Sequence, residues 1–351
     1  MIEKFEGKLN FPKRPTIYRF GLFFLLIFLI SACSPVAEAP TPLPSEAPLP
    51  SITPSQVPSP TFTQLAISPQ ASEIVSTIPP SPTPEDTPEP QNVRFAVIGD
   101  YGSGKEAEAD VAKLVKSWEP EIIITTGDNN YPDGRSETID EHIGQFFHAF
   151  IAPYRGSFGE GPDENHFFPS LGNHDWQTPG AEPYLDYFAL PGNERYYDFT
   201  WGPVHFFALD SDSREPDGVG SSSQQAVWLQ SRLAASTSPW KVVYFHHAPF
   251  SSGMHGPVDW MQWPFADWGA DIVLSGHDHT YERIFKDGIL YFVNGLGGNT
   301  RYDFNEVIDG SQVRYNDDYG AMLVEASGDM VLLKFINRGN ELIDTYQLNR
   351  E

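Results

Sequence analysis

Short apolar runs alternate with amphipathic stretches along the second part of the chain. Val93 to Ile98 and Glu121 to Thr126 carry runs rich in β-branched residues, which predict strands. The stretch from Lys105 to Trp118 has the periodicity of an amphipathic helix, and Ser136 to Phe150 predicts another helix with Ser136 as its N-cap. This order of strand, helix and strand predicts parallel strands whose loops meet at one end of a sheet.

Later apolar runs are spaced less regularly. They predict strands and one helix at Tyr196 to Thr200, Val204 to Leu209, Ser222 to Ala235 (the helix), Lys241 to Phe245 and Asp271 to Ser275. The last three runs stand so close together that they predict an antiparallel meander, at Ile289 to Val293, Ala321 to Glu325 and Met330 to Phe335. The whole pattern predicts an α/β fold of two mixed sheets packed face to face, with helices outside.

The first 33 residues have the pattern of an export signal. Basic residues precede a wholly apolar run from Phe20 to Ile30, which is short for a membrane span and typical of a signal peptide. Ile30-Ser31-Ala32-Cys33 resembles the bacterial lipobox, in which the cysteine receives a diacylglycerol. The alternative is an N-terminal anchor helix that is not cleaved. Both interpretations predict an exported protein tethered to the outer face of the bacterial cell membrane, extracellular or periplasmic.

Residues 34–90 have the composition of a disordered stalk. They contain 16 prolines and no Lys or Arg, so they cannot bury enough apolar surface to offset the entropy of ordering. Residues 91–351 are rich in aromatic residues and predict one large α/β domain. Cys33 is the only cysteine, so no internal disulfide is possible.

The charge of the chain narrows the choice of partners. The formal net charge is −25 at pH 7. A surface of this sign argues against nucleic-acid binding, and no obligate protein partner is evident from the sequence. Any affinity for an anionic ligand must therefore come from local features such as metal ions.

Five polar clusters stand where predicted strands end. They are Gly99-Asp100-Tyr101-Gly102, Gly127-Asp128-Asn129-Asn130-Tyr131, Gly172-Asn173-His174-Asp175, His246-His247-Ala248-Pro249 and Gly276-His277-Asp278-His279. Open α/β sheets place ligand-binding residues at such strand ends. The mixture of carboxylate, imidazole, amide and phenol groups suits iron, manganese or zinc.

The order of these clusters resembles the calcineurin-like metallophosphoesterase superfamily. Its signature runs Asp, Gly-Asp, Gly-Asn-His, His and Gly-x-His, and the resemblance covers most of Val93 to Gly298. Many members have a His two residues after the first Asp, whereas position 102 is Gly. Tyr131 stands three residues after Asp128, as in the Gly-Asp-x-x-Tyr motif of purple acid phosphatases, where a tyrosinate supplies the missing ligand. The resemblance implies the tartrate-resistant type of purple acid phosphatase and a four-layer α-β-β-α sandwich of two mixed sheets flanked by helices.

The resemblance also implies two metal ions. Asp100, Tyr131 and His279 are expected to bind the first, Fe(III), and Asp128 is expected to bridge both ions.

Asn173, His246 and His277 are expected to bind the second ion, which would be Fe(II), Zn or Mn. The superfamily signature does not choose among these three metals.

Four further residues receive roles from the resemblance. His174 matches a histidine near the leaving group, and His255 stands where the family has another histidine that faces the substrate. Asp175 is expected to orient His174 from behind. His247 either supports the ligands or merely adjoins them.

The implied reaction is hydrolysis of a small phosphate monoester by hydroxide that the metal ions activate. One alternative is a phosphodiesterase or nucleotide pyrophosphatase of the same superfamily. An alternative of another class is a surface binding lipoprotein that kept the fold without catalysis.

Overall fold

Thirteen strands form two mixed sheets within residues 92–350, the part of the chain that the computed structural model describes. In chain order they are β1 (Val93–Ile98), β2 (Ile122–Thr125), β3 (Phe167–Pro169), β4 (Tyr197–Trp201), β5 (Val204–Ala208), β6 (Trp240–His247), β7 (Ile272–Gly276), β8 (Tyr281–Lys286), β9 (Ile289–Asn294), β10 (Ser311–Tyr315), β11 (Gly320–Ala326), β12 (Met330–Asn337) and β13 (Leu342–Asn349). The predicted signal sequence with Cys33 and the predicted stalk lie outside the described residues.

Five α-helical segments lie between these strands. They are α1 (Glu106–Ser117), α2 (Ser136–Ile139), α3 (Gln145–Phe147), α4 (Glu182–Tyr187) and α5 (Gln224–Ala235). Short 3-10 turns occur at His148–Phe150, Asp175–Gln177, Pro179–Ala181 and Asp259–Met261. None of the helices in the described part of the chain combines the length and the apolar character that crossing a bilayer requires.

The helix that the sequence predicts from Ser136 to Phe150 is divided. A π-helical turn at Asp140–Gly144 separates α2 from α3, and the last turn is 3-10. Ser136 is wrong as the N-cap, because it lies inside the first turn and Arg135 precedes it with extended backbone. The helix before β6 does have a serine cap, since the Ser223 side chain accepts a hydrogen bond from the Ala226 amide.

The prediction of two mixed sheets is confirmed, but one strand belongs to a different sheet than expected. The first sheet has the order β13-β12-β11-β1-β2-β3, and the second has the order β10-β8-β9-β7-β6-β5-β4. The predicted meander is therefore correct for β11 and β12, which continue into β13. It is wrong for β9, which pairs in parallel with β7 in the second sheet.

Aromatic side chains fill the space between the two sheets. Phe95 meets Phe206 edge to face with ring centroids 5.0 Å apart, and Phe168 stacks on Phe199 at 3.8 Å. A second apolar cluster, which includes Leu229 of α5, covers the outer face of the second sheet. Burial of these faces provides the main stabilisation of the sandwich.

Parallel pairing decides where the polar clusters lie. In the first sheet β1, β2 and β3 run parallel, and in the second β5, β6 and β7 do so. The loops after β1, β2 and β3 therefore leave one edge of the first sheet together. The ends of β6 and β7 meet them from the second sheet, and the site lies between the two.

Candidate metal centre

The turns after β1, β2 and β7 hold three of the expected ligands in unusual backbone conformations. Asp100, Asp128 and His277 have φ angles of 55°, 53° and 69°, in the left-handed region that non-glycine residues rarely adopt. Such conformations persist only where the surrounding structure enforces them, and they concentrate at functional sites. Here they turn the chain sharply at each strand end and direct the side chains inward.

The phenol of Tyr131 is the meeting point of the first group of side chains. Its Oη lies 3.1 Å from Asp100 Oδ1, 2.9 Å from Asp128 Oδ2 and 3.1 Å from His279 Nε2. His279 Nε2 is also 3.2 Å from Asp100 Oδ1. These four side chains present one donor atom each to a common point.

His246 is the centre of the second group. Its Nε2 lies 3.0 Å from Asn173 Oδ1, 3.2 Å from His277 Nδ1 and 3.3 Å from Asp128 Oδ2. Asp128 Oδ2 therefore belongs to both groups. The structure therefore brings all seven predicted ligands together in two groups that share Asp128.

Backbone carbonyls fix the orientation of the imidazole rings. His246 Nδ1 lies 2.9 Å from the carbonyl oxygen of Thr126, and His279 Nδ1 contacts that of Thr300. A carbonyl only accepts, so each Nδ1 carries a proton and each Nε2 faces the site. This is the usual support for histidines that bind metals.

The donor set fits metal ions. Asp100 and Asp128 are 0% and 1% exposed, and no Lys or Arg among residues 92–350 forms an ion pair with either. Two buried carboxylates need positive charge nearby. His246 Nε2 and Asn173 Oδ1, 3.0 Å apart, add a nitrogen and an oxygen donor to the set. Mixed oxygen and nitrogen donors of this kind suit iron, manganese and zinc.

The pKa values show how strongly the site demands positive charge. Burial disfavours charge on both Asp128 and His246, but their attraction dominates. It lowers the pKa of Asp128 and raises the pKa of His246 to about 10. Burial, together with Asp128 and Asp100, raises the pKa of Tyr131 well above its usual value. A multivalent cation would supply the same charge and favour the phenolate.

Gly102 is a position where no ligand side chain fits. A Cβ atom placed there would lie 1.7 Å from the carbonyl oxygen of Asn129. The Gly102 carbonyl in turn accepts a hydrogen bond of 2.7 Å from the amide of Tyr131. The close packing at Gly102 therefore excludes a histidine side chain at this position. The same backbone segment holds Tyr131, the residue expected to supply the ligand instead.

His174 lies at the edge of the site, half-buried. Its amide donates to Asp128 Oδ1 at 2.8 Å, and its ring Nε2 is 3.9 Å from Asp128 Oδ2. Its Nδ1 contacts the carbonyl oxygen of Pro132. A carbonyl group therefore orients the His174 ring. The sequence-based expectation that Asp175 would orient it is wrong.

Asp175 supports the site in another way. Its carboxylate accepts hydrogen bonds from the amides of Gly172 and Asn129 and from the Asn129 side chain, at 2.9 to 3.2 Å. Burial and the nearby charge of Asp128 raise its pKa to about 7. Asp175 thus ties the turn after β2 to the turn after β3.

His247 lies directly behind the ligands. One of its ring nitrogens is within 4.8 Å of donor atoms of His246 and His277. Its Nδ1 is 2.9 Å from Ser211 Oγ, which also accepts the His247 amide at 2.8 Å. Burial and the neighbouring His246 lower its pKa to about 3, so the ring is neutral.

His255 lies at the mouth of the site. Its side chain is exposed, and its ring stacks on that of His277 with centroids 4.2 Å apart. The Tyr302 ring, which the sequence did not single out, meets His255 edge to face at 5.4 Å and stacks on His279 at 4.1 Å. The rings of His255 and Tyr302 therefore lie beside the proposed ligands His277 and His279 at the edge of the site.

Arg214 is a further residue that the sequence did not reveal. Its guanidinium donates to the carbonyl oxygens of Asn173 and Trp176, at 3.0 and 2.6 Å, and pairs with Asp212 at 2.7 Å. It therefore holds the turn that carries Asn173. The loop that contains it has no motif, so no signal in the sequence could have identified it.

Comparisons with known proteins agree with this geometry. The model of the calcineurin-like phosphoesterase family matches residues 93–281, more than half of the chain. Purple acid phosphatase 15 of Arabidopsis thaliana is 28% identical over 256 residues, which cover 62% of this chain and 47% of the relative. Purple acid phosphatase 4 of the same plant is 22% identical and covers 80% of this chain and 89% of its own length. The chain spans about half the length of purple acid phosphatases 15 and 22.

Solved structures share the fold at low sequence identity. A purple acid phosphatase from yellow lupin seeds matches with a TM-score of 0.61 and 16% identity, over 75% of this chain and 55% of that one. GAP50, described as the anchor in the inner membrane complex of Plasmodium, matches with a TM-score of 0.59 and 19% identity, over 74% and 89%. At this identity the likeness establishes the fold alone.

Proposed function

Because this chain belongs to the calcineurin-like phosphoesterase family, we propose that it is a metal-dependent hydrolase of phosphate monoesters, similar in chemistry to purple acid phosphatases. The observation that carries the proposal is the contact of Tyr131 Oη with Asp100, Asp128 and His279 at 2.9 to 3.1 Å. A phenol that contacts two buried carboxylates and an imidazole is placed to bind a ferric ion as a phenolate, a strong ligand for that ion.

The donor types support the assignment of the two metals. Asp100, Asp128 and Tyr131 offer oxygen donors that suit Fe(III), with His279 completing the group. The second group is richer in nitrogen and suits Fe(II), Zn or Mn. When bound, the two ions would polarise the phosphate ester and lower the pKa of water.

His174 can move a proton at the edge of the site. Its Nδ1 proton is held by the carbonyl oxygen of Pro132, which leaves Nε2 facing the pocket beside Asp128. A proton carried on Nε2 is therefore available to the oxygen of the departing alcohol. The half-buried position of the ring keeps it open to a substrate.

The overall charge is consistent with local recognition of phosphate. A chain with a net charge of −25 repels an anionic ester at long range. Binding must therefore depend on the metal ions. The substrate class we propose is a small phosphomonoester.

Metal analysis, visible spectroscopy and a panel of phosphoesters across pH test this proposal on the purified protein. We expect two metal ions per chain, a charge-transfer band from tyrosinate to iron and hydrolysis of monoesters at acidic pH. Tyr131→Phe should abolish the band, whereas Tyr302→Phe, which keeps the ring stacked on His279, should retain it. A colourless protein that holds its metals and is unaffected by Tyr131→Phe would contradict the assignment.

The fold neighbour described as an anchor means that the fold does not by itself separate an enzyme from a binding module. The variants Asn173→Ala and His246→Ala separate the two. In an enzyme each should lose the second metal ion and turnover while the protein remains folded. A binding module would keep its partner in both variants.

We further propose that the chain is exported and lipid-anchored through Cys33. The apolar run before Cys33 and its lipobox-like context support this. Expression in a bacterial host with a labelled fatty acid should label the wild type and not Cys33→Ser. Equal labelling of both would contradict the anchor.

A further inference from the structure

A buried carboxylate links the metal-binding turn to the loop that carries His255. Asp278 Oδ1 accepts a hydrogen bond of 2.7 Å from the His255 amide, and Oδ2 accepts one of 2.6 Å from Ser251 Oγ. We infer that Asp278 is a positioning residue that sets the place of His255 over the site. The inference rests on the proposed function and adds to it that His255, whose ring stacks on His277, donates a proton to the leaving group beside His174.

Asp278 is well placed for this because it stands between two of the metal ligands. It follows His277 and precedes His279 in a tight turn, in which its amide donates to Gly276 O at 2.9 Å and its carbonyl accepts from Thr280 at 2.7 Å. The carboxylate therefore keeps a constant place relative to both ligands. The groups that donate to it, Ser251 Oγ and the His255 amide, are therefore also held in place relative to His277 and His279.

The fit between the loop and the carboxylate leaves no room for adjustment. Asp278 is 0% exposed. A Cβ atom at Gly253 would lie 2.3 Å from Asp278 Cγ, so only glycine allows the loop to fold over the carboxylate. Ser251 Oγ, which donates to Asp278, also accepts the Gly253 amide at 2.9 Å. The loop is thus wrapped around Asp278.

The position of the His255 ring depends on this backbone contact. Among the described residues the ring makes no hydrogen bond of its own and is held by stacking on His277 at 4.2 Å. Stacking alone permits sliding, whereas the amide contact fixes the point from which the side chain begins. An exposed imidazole held in this way can present a proton to a leaving oxygen near the metals.

A second buried carboxylate, Glu282 of β8, binds the same loop and provides a matched control. Glu282 accepts hydrogen bonds from the Ser252 amide and hydroxyl, at 2.7 and 2.6 Å, and is 0% exposed. It anchors the loop without contacting His255 or a predicted metal ligand. Its loss should lower stability without altering the treatment of the leaving group.

Steady-state kinetics with two substrates test the inference. Nitrophenyl phosphate has a good leaving group that needs little protonation, and glycerol phosphate has a poor one. His255→Ala should lower kcat for glycerol phosphate about 100-fold, a usual size for loss of a general acid, and affect nitrophenyl phosphate far less. Asp278→Ala should show the same selective pattern with both metal ions retained.

A double variant and a conservative variant make the test specific. If Asp278 acts through His255, Asp278→Ala combined with His255→Ala should be no slower than His255→Ala alone. Asp278→Asn should retain most of the activity that Asp278→Ala loses, because the Oδ1 atom of asparagine can still accept the hydrogen bond from the His255 amide. Should Asp278→Ala not fold, Ser251→Ala removes one of its two partners and should show the same selectivity at smaller size.

Several outcomes would overturn the inference. These are additive losses in the double variant, equal losses on both substrates, loss of metal from Asp278→Ala, or the same selectivity in Glu282→Ala. If the wild type instead holds two metal ions and hydrolyses no phosphoester, the proposed function fails first. The two failures are therefore distinguishable.

Discussion

The absence of a ligand side chain at Gly102 and the presence of the Tyr131 phenol depend on the same backbone packing. The Gly102 backbone packs against Asn129 so closely that a Cβ atom would lie 1.7 Å from its carbonyl oxygen. The Gly102 carbonyl accepts the Tyr131 amide. Exchanging the two ligand types would therefore require a new backbone path and not only two substitutions.

We expect Gly102→Ala to lower the free energy of unfolding by about 1–3 kcal/mol, as overpacking against a fixed backbone does. Gly220→Ala is the control, because a Cβ atom at that position meets nothing within 4 Å. Denaturant unfolding of both variants checks the difference. Equal stability of the two would show that the contact relaxes at no cost.

The side chains of the site could be predicted, whereas the groups that orient them could not. Aspartate, histidine and tyrosine at strand ends carry a chemical signal in the sequence. The carbonyls of Thr126, Thr300 and Pro132, which fix three imidazole rings, carry none because every residue has a carbonyl group. Their role depends on the tertiary path of the chain.

At the scale of elements, the strands that the sequence did not reveal are mostly short or at sheet edges. β3 has three residues and is one edge of the first sheet, β13 is its other edge, and β10 is one edge of the second sheet; much of the surface of β10 and β13 is exposed. Such strands lack the apolar runs by which buried strands are identified. The sequence also missed β8, an interior strand of the second sheet, and the remaining strands were predicted to within a few residues.

β8 and β13 belong to different sheets and are joined by a buried ion pair. Asp344 accepts hydrogen bonds from Arg283 at 2.7 Å and from Tyr281 at 2.8 Å, and the side chains of Asp344 and Arg283 are 8% and 11% exposed. This contact links the second sheet to the edge strand of the first sheet.

Asp344→Ala should lower the free energy of unfolding by about 3–5 kcal/mol, because it leaves the largely buried Arg283 guanidinium without the carboxylate that balances its charge. Asp110→Ala removes the exposed pair with Arg338 and should cost less than about 1 kcal/mol. Denaturant unfolding measures both. A loss of similar size in the two variants would contradict the structural distinction.

A second polar network joins β4, β5 and α5 and predicts a dependence of stability on pH. Asp198 Oδ2 lies 2.7 Å from His205 Nε2 and 2.6 Å from Arg232 Nη2. Burial raises the pKa of Asp198, but the hydrogen bonds from His205 and Arg232 outweigh it and lower that pKa below its usual value. The stabilisation is therefore present above the usual aspartate pKa of about 4 and is lost as the pH falls through the lower value of the folded protein.

We expect Asp198→Asn to be less stable than the wild type at pH 7 and the difference to shrink as the pH falls below about 4. Urea unfolding at several pH values measures it. A difference that is constant across this range would indicate that the ionised carboxylate contributes nothing.

At the scale of the whole molecule, the site joins the two sheets. Asp100, Asp128 and Asn173 follow strands of the first sheet, whereas His246, His277 and His279 belong to the second. The buried carboxylates repel each other unless positive charge lies between them. Metal ions should therefore contribute to the stability of the sandwich as well as to its chemistry.

Removal of metal with a chelator should lower the melting temperature by about 10 °C, since ligands that bind only the folded state stabilise it by several kcal/mol. Readdition of metal should restore it. The variant His246→Ala should respond less, because one ion is already absent. A melting temperature that is indifferent to chelator in the wild type would show that the ions do not connect the sheets.

The oxygen shared by the two donor groups has a consequence for how the protein is loaded with metal. Asp128 Oδ2 is 2.9 Å from Tyr131 Oη and 3.3 Å from His246 Nε2. If binding of one ion shifts this oxygen, the position of the oxygen in the other donor group changes as well. The two affinities are then thermodynamically linked, and each ion alters the affinity for the other by the same factor. A titration with metal should show cooperativity, positive or negative, in place of two independent sites.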